Sequence, residues 1–143
     1  MKKTILLFVS VLTLALVSTS CSSDDDAEGV SIVGKWEISK EGMEVGGQEV
    51  LTNYVHTAGC SKDNIEFKAD GTLVSTNYIT SACLVQPSSS TYTKNGNTLT
   101  VTDAQGADAF TVKELSATTL KISDTYTEDN VQFTEVTLYT RAN

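Results

Sequence analysis

The sequence predicts an all-β protein, an eight-stranded antiparallel up-and-down β-barrel. Three observations carry this. From Gly34 onward apolar and polar residues alternate with period two, the spacing of a half-buried strand. The dipeptides Asp70-Gly71 and Asn95-Gly96 sit between alternating runs, the strongest short-range hairpin signal. Helix N-caps and long 3.6-period stripes are absent from this part of the chain, and Thr, whose branched Cβ suits a pleated surface, fills the outward positions.

The elements follow in order. "GKWEISK" sets Trp36 and Ile38 against Lys35, Glu37 and Ser39, giving a first strand at 33–40. "NIEFKADGTLVSTNYI" gives strands at 63–68 and 72–79 around the Asp-Gly turn, with Ile65 and Phe67 on one face. "SSTYTKNGNTLTVTD" repeats the pattern: a strand at 88–95 through Tyr92, the Asn-Gly turn, and a strand at 97–102 with Leu99 and Val101 facing one way. "DAFTVKE" aligns Phe110 with Val112 in 107–114, "TLKISDTY" aligns Leu120 with Ile122 in 118–126, and "VQFTEVTLYTR" closes the chain at 131–141 with apolar residues on both faces. Pro87 is expected just before its strand, where a missing N–H does no harm. Residues 41–62 form the one long connection. A meander of eight strands has two edges to hide, and pairing the last strand with the first removes both. A two-sheet β-sandwich is the alternative, favoured if the Pro87 region turns a corner between sheets.

Ahead of this domain the chain changes character. Lys2 and Lys3 precede an apolar run, Ile5 to Val17, too short to cross a hydrocarbon core of roughly 30 Å as a helix. Ser18, Thr19 and Ser20 follow, as a cleavage site requires, so residues 1–20 read as a signal peptide. The junction falls before Cys21. A cysteine at the first mature position resembles the lipobox of bacterial lipoproteins, which implies that Cys21 carries a diacylglyceryl anchor. "CSSDDDAE" then places Asp24, Asp25 and Asp26 beside it. Like charges repel one another and anionic headgroups, so residues 21–31 read as an extended, solvated tether. A cysteine followed by small residues and an acidic run also resembles the signal by which Bacteroidetes-type bacteria send lipoproteins to the outer face of the outer membrane. That implies a lipid-anchored protein at the cell surface.

What remains, residues 32–143, suits one domain, of a size that buries about two-thirds of its unfolded surface. Without Lys2 and Lys3, eight basic residues face eighteen acidic ones, a formal charge of about −10. Such a surface repels nucleic acid, whose binding depends on neutralising phosphates. Acidity favours solubility and names no partner.

"GKWEI", one long loop, then "DGT", "NGNTLTV", "LKISDTY" and "VTLYTR" resemble the lipocalin-like domains of bacterial lipoproteins, from Ile32 to Arg141. Gly34-Lys35-Trp36 matches the Gly-x-Trp that opens lipocalin barrels, with the Trp packed across one barrel end. If the first and last strands pair antiparallel, Arg141 covers the Trp36 indole there. The resemblance implies a small hydrophobic or amphipathic ligand held between the walls. The side chains expected to face it are Ile38, Phe67, Tyr92, Leu99, Phe110 and Leu120. The chain is shorter than a typical lipocalin and lacks its C-terminal helix.

Chemistry beyond binding finds little support. With Cys21 acylated, Cys60 and Cys83 remain as a pair. The Asp70-Gly71 hairpin sets Cys60 opposite residue 80, within three positions of Cys83, so a disulfide is expected. It would stabilise the domain by about 3 kcal/mol in the chain-entropy model. A catalytic thiol or half a metal site is the competing reading, and no CxxC or second histidine supports it. His56, the only histidine, lies in a glycine-bearing loop with no GxSxG serine motif, and reads as a solvent or packing residue. Asp124, Glu128, Asp129 and Glu135 lack the spacing of a calcium loop and read as a wet hairpin turn. The expectation is therefore a non-enzymatic protein with no cofactor or metal. It is either a ligand-binding barrel or a filled barrel whose surface meets a protein or glycan partner. A void enclosed by the inward residues separates the two.

Overall fold

The computed structural model describes residues 29–143. The expected signal peptide, Cys21 and the run Asp24–Asp26 lie outside the described residues. Among the described residues there are nine strands and no helix: β1 (Gly34–Val45), β2 (Gln48–Asn53), β3 (Asn64–Phe67), β4 (Thr72–Tyr78), β5 (Val85–Asn95), β6 (Thr98–Thr102), β7 (Ala107–Leu115), β8 (Thr119–Glu128) and β9 (Val131–Arg141). Every pairing is antiparallel. Strands β3 to β9 follow one another around the ring, and β1 lies between β3 and β9. The contact of Trp36 with Arg141 through Met43 with Glu135 closes an eight-stranded up-and-down barrel.

The ninth strand corrects the expectation of a first strand ending at residue 40 and a loop over 41–62. β1 runs on to Val45, turns at Gly46-Gly47 and returns as β2. Both glycines hold positive φ, 58° and 78°, as a two-residue hairpin turn requires. β2 and β3 are two halves of one strand lying along β1. Tyr54 N donates to Ser39 O and Ile38 N donates to Asp63 O, each at 3.0 Å. The strand opposite β1 therefore jumps from residue 54 to residue 63 between two adjacent β1 positions, and residues 55–62 leave the wall as an excursion.

The β1–β2 hairpin does not continue the barrel upward. Lys113 on β7 pairs with Glu44 and, at 3.1 Å, with Glu49, and Lys121 on β8 reaches Glu49 at 2.8 Å. The hairpin thus folds back over the outer wall. Ser123 and Val136, which strand alternation turns outward opposite each other, are 5% and 1% exposed beneath it. Gly42 permits the fold: a Cβ there would stand 1.9 Å from the Val50 carbonyl oxygen.

A second correction concerns Pro87, which lies inside β5, opposite Thr76, because the strand begins at Val85 and not at residue 88. Tyr92 N and Leu84 O bond across to the β4 side. Alternation therefore points the Pro87 nitrogen to the other edge, beyond Thr102 where β6 ends its pairing, so no ladder bond is lost.

Candidate functional site

The two ends of the barrel are built differently. At one end Trp36 is fully buried in a core with Ile32, Phe67, Leu73, Leu99, Val112, Leu120 and Ile122. Its indole N–H donates to the Ile32 carbonyl at 2.8 Å, so the polar edge of the ring is satisfied. Arg141 lies across the ring with its guanidinium carbon 4.1 Å from the centroid, a cation–π contact. The same guanidinium donates to the carbonyls of Ala117 (2.8 Å), Val33 (3.0 Å) and Ser31 (2.7 Å). It ties the stretch ahead of β1 and the β7–β8 turn to the end of β9. Gly34 makes room: its φ is 134°, and a Cβ at that position would meet Arg141 Nη1 at 2.6 Å.

Above this floor the interior is hollow. A cavity of about 150 Å³ is walled by Ile65, Phe67, Leu73, Leu99, Val101, Phe110, Ile122 and Tyr139. Three of the residues expected to face a ligand, Phe67, Leu99 and Phe110, line it. Ile38, Tyr92 and Leu120 stand elsewhere. Leu120 is wholly buried in the Trp36 core. The Tyr92 ring packs edge-on against Phe67 at 4.8 Å, and its hydroxyl donates to Lys68 O at 2.9 Å, which draws it to the closed end. Ile38 faces Tyr139 across the β1–β9 seam, and its carbonyl meets His56. Tyr139 and Leu73 were missed by the sequence reading. The signal for Tyr139 was ambiguous, because β9 is apolar on both faces.

Tyr139 brings a hydroxyl to an otherwise hydrocarbon wall. Burial pushes its phenol up to about 12; the Thr137 hydroxyl, two residues along the same face, opposes that rise by hydrogen bonding, and Tyr54 adds to it. Beyond Tyr139 a bulge between Ile38 and Lys40 reverses the facing of β1. Glu41 and Met43 therefore join Thr137 and Glu135 on the inner face. Glu135 is held by the Tyr126 hydroxyl at 3.0 Å, and Tyr126 stacks on Phe133. The interior is thus apolar below and acidic above.

The neck of the 55–62 excursion is fixed on this open side. The Tyr54 hydroxyl donates to Asp63 Oδ2 at 2.9 Å, and Tyr78 N donates to Asp63 Oδ1 at 2.7 Å. Burial, then the Asp63 hydrogen bond and charge, push the Tyr54 phenol up to about 12. Asp63 N donates to His56 Nδ1 at 3.0 Å, which leaves Nε2 to carry the ring proton and donate to Ile38 O at 2.9 Å. His56 is a packing residue in a backbone network. Cys60 and Cys83 form a disulfide with Cα atoms 5.4 Å apart, joining the excursion to the β4–β5 loop. Among the described residues no cluster of His, Cys, Asp or Glu is arranged to hold a metal.

A family model described as a lipocalin-like domain matches residues 32–122. Among solved structures, a complex of bovine odorant binding protein with undecanal is 16% identical and aligns over 77% of this chain and 70% of that one, with a TM-score of 0.44. The deswapped triple mutant of the bovine protein, also 16% identical, aligns over 76% and 72% with a TM-score of 0.43. No curated protein matches the chain. With a closed up-and-down barrel and a family match over most of its length, the chain belongs to the lipocalin-like domain family.

Proposed function

We propose that this protein is a binding module: its barrel takes a small hydrophobic or amphipathic molecule, and the lipidated Cys21 tethers it to the outer membrane with the barrel at the cell surface. The observation that carries the binding reading is the apolar cavity of about 150 Å³. A barrel of eight strands is either filled by its own side chains or holds one small ligand. Here the inward residues leave a space. A dry cavity of about that volume lined by Leu, Ile and Phe accommodates benzene. The occupant is accordingly a molecule of that size. The tether rests on the order of apolar run, small residues, Cys21 and acidic run. Hydrolysis is not part of this reading, since the only histidine is committed to backbone partners.

Native mass spectrometry of protein purified from its own host tests the binding. One copurified small molecule per chain is expected. An empty protein that also ignores added benzene would show the cavity to be a packing defect. For the tether, Cys21→Ala should move the protein to the soluble fraction and abolish labelling by a palmitate analogue; unchanged membrane retention refutes it.

A further inference from the structure

We propose that the barrel is held with its closed end toward the bilayer, so that the mouth opens away from the membrane and the cavity takes its guest from the surrounding medium and not from the lipid. This rests on the Cys21 tether proposed above and adds an orientation to it.

The chain enters the barrel at its closed end. The carbonyls of Ser31, Ile32 and Val33 accept in succession from Arg141 Nη2 at 2.7 Å, Trp36 Nε1 at 2.8 Å and Arg141 Nη1 at 3.0 Å. Three consecutive residues are thereby fixed at the indole that fills this end, and an anchor upstream of them pulls there. Reach points the same way. The eight residues 21–28 between the anchor and Gly29 span at most about 30 Å when drawn straight. The wall is nearly as tall. The eleven residues of β9 rise about 3.3 Å each at a tilt near 40°, roughly 28 Å along the barrel axis. Laying the mouth on the lipid would require the tether to run straight along the whole wall, at the loss of most of its conformational freedom.

Charge favours the same orientation. Residues 100–112 and 122–140 form the β6–β7 and β8–β9 sides of the mouth. They hold Asp103, Asp108, Asp124, Glu128, Asp129 and Glu135 and no lysine or arginine. At the closed end Lys35, Lys68, Lys94 and Arg141 stand among Glu66, Asp70 and Glu114, so the two signs nearly cancel. Salt screens charge over about 8 Å at physiological ionic strength, far less than the height of the wall, so a lipid surface acts only on the end next to it. An anionic surface repels the mouth and leaves the closed end almost unaffected. Val55, Ile79, Leu84 and Val85, exposed on the rim, then stand on the side away from the lipid.

The test uses the acylated full-length protein, expressed in its own host and placed in vesicles of phosphatidylethanolamine and phosphatidylglycerol that carry an acceptor dye on the headgroup. A donor dye is attached through Thr118→Cys, in the exposed β7–β8 turn of the closed end, or through Val55→Cys on the rim. Cys60 and Cys83 stay in their bridge and take no label. Energy transfer to the lipid should be several times stronger from position 118 than from position 55. Equal transfer from the two positions, or stronger transfer from position 55, in protein that sediments with the vesicles would overturn the orientation and leave the tether standing. Protein that does not sediment with them overturns the tether, and the orientation with it.

Discussion

The two ends of this barrel do opposite work with similar numbers of residues. At the closed end the carbonyls of Ser31, Ile32, Val33 and Ala117 are taken up by Arg141 and the Trp36 indole, and Trp36 has no exposed surface. At the open end the wall is interrupted by the 55–62 excursion, and Val55, Ile79, Leu84 and Val85 stand exposed on its rim. The first end uses its side chains to fill space, the second to keep space open. Stability and binding are therefore separable only in part along the barrel axis: Ile32, Trp36, Val112 and Leu120 hold the floor without facing the void, whereas Phe67, Leu73, Leu99 and Ile122 serve both.

Trp36→Ala offers the sharpest test of that division. Removing a fully buried indole should cost about 3–5 kcal/mol in chemical denaturation, since the floor cannot collapse around a ring-sized gap. Val55→Ala on the opposite rim, at a residue 86% exposed, should change stability by less than about 0.5 kcal/mol. Comparable losses at the two sites would mean that the ends are not energetically distinct.

A smaller effect is expected from reducing the Cys60–Cys83 disulfide. The bridge restrains the unfolded chain, and its loss should lower stability by about 3 kcal/mol in the chain-entropy model. Hydrogen exchange should then quicken in residues 55–62 and 79–84 while the amides around Trp36 keep their order of protection. Uniform loss of protection would show that the disulfide supports the whole barrel.

The smallest effect belongs to the outer wall, at neither end. Lys121, then Lys113, hydrogen-bond the Glu49 carboxylate and hold its pKa below the usual carboxylate range. A depressed folded pKa means stability that is present above the unfolded value and lost as pH falls through the folded one. Glu49→Gln should therefore be less stable than wild type at neutral pH by roughly 0.5 kcal/mol, a surface-pair magnitude, and the two should converge in acid. A gap that persists at low pH would assign Glu49 a packing role instead.

How much of this was legible in the sequence follows from what each segment buries. The turns at Asp70-Gly71 and Asn95-Gly96 could be read because strands with one buried face flank them, and both glycines hold positive φ. Gly46-Gly47 is as good a turn, yet Val45 and Val50 in its flanks "MEV" and "QEV" are exposed, so no buried stripe runs up to it. That hairpin is seated on the outer wall partly by Glu44 and Glu49, and a charged contact leaves no period-two stripe. Its presence also explains β9: Val136 is buried on the outside by the hairpin, so both faces of the strand read as apolar and the inward phase of Tyr139 was hidden. The start of β5 was lost for the reason that residues 85–89 are exposed throughout. Trp36, Gly34 and Arg141 were accessible through the family pattern, and the structure supplies the physical cause in the 2.6 Å limit at Gly34. The cavity itself is a difference between wall circumference and side-chain volume, which no alternation pattern encodes.

The split of one strand into β2 and β3 also bears on how such a domain can change over generations. Residues 55–62 depart from and return to adjacent positions along β1, and their neck is pinned by Tyr54, Asp63 and His56. Between those pins, and with Cys60 kept for its bridge to Cys83, the chain can be lengthened or varied without shifting the register of any strand, since loop closure costs only about 0.6 kcal/mol per doubling of length. For a protein read as displayed on a cell, that is a place where sequence can drift under outside pressure, or where an epitope or peptide ligand can be grafted, while the barrel beneath stays as it is.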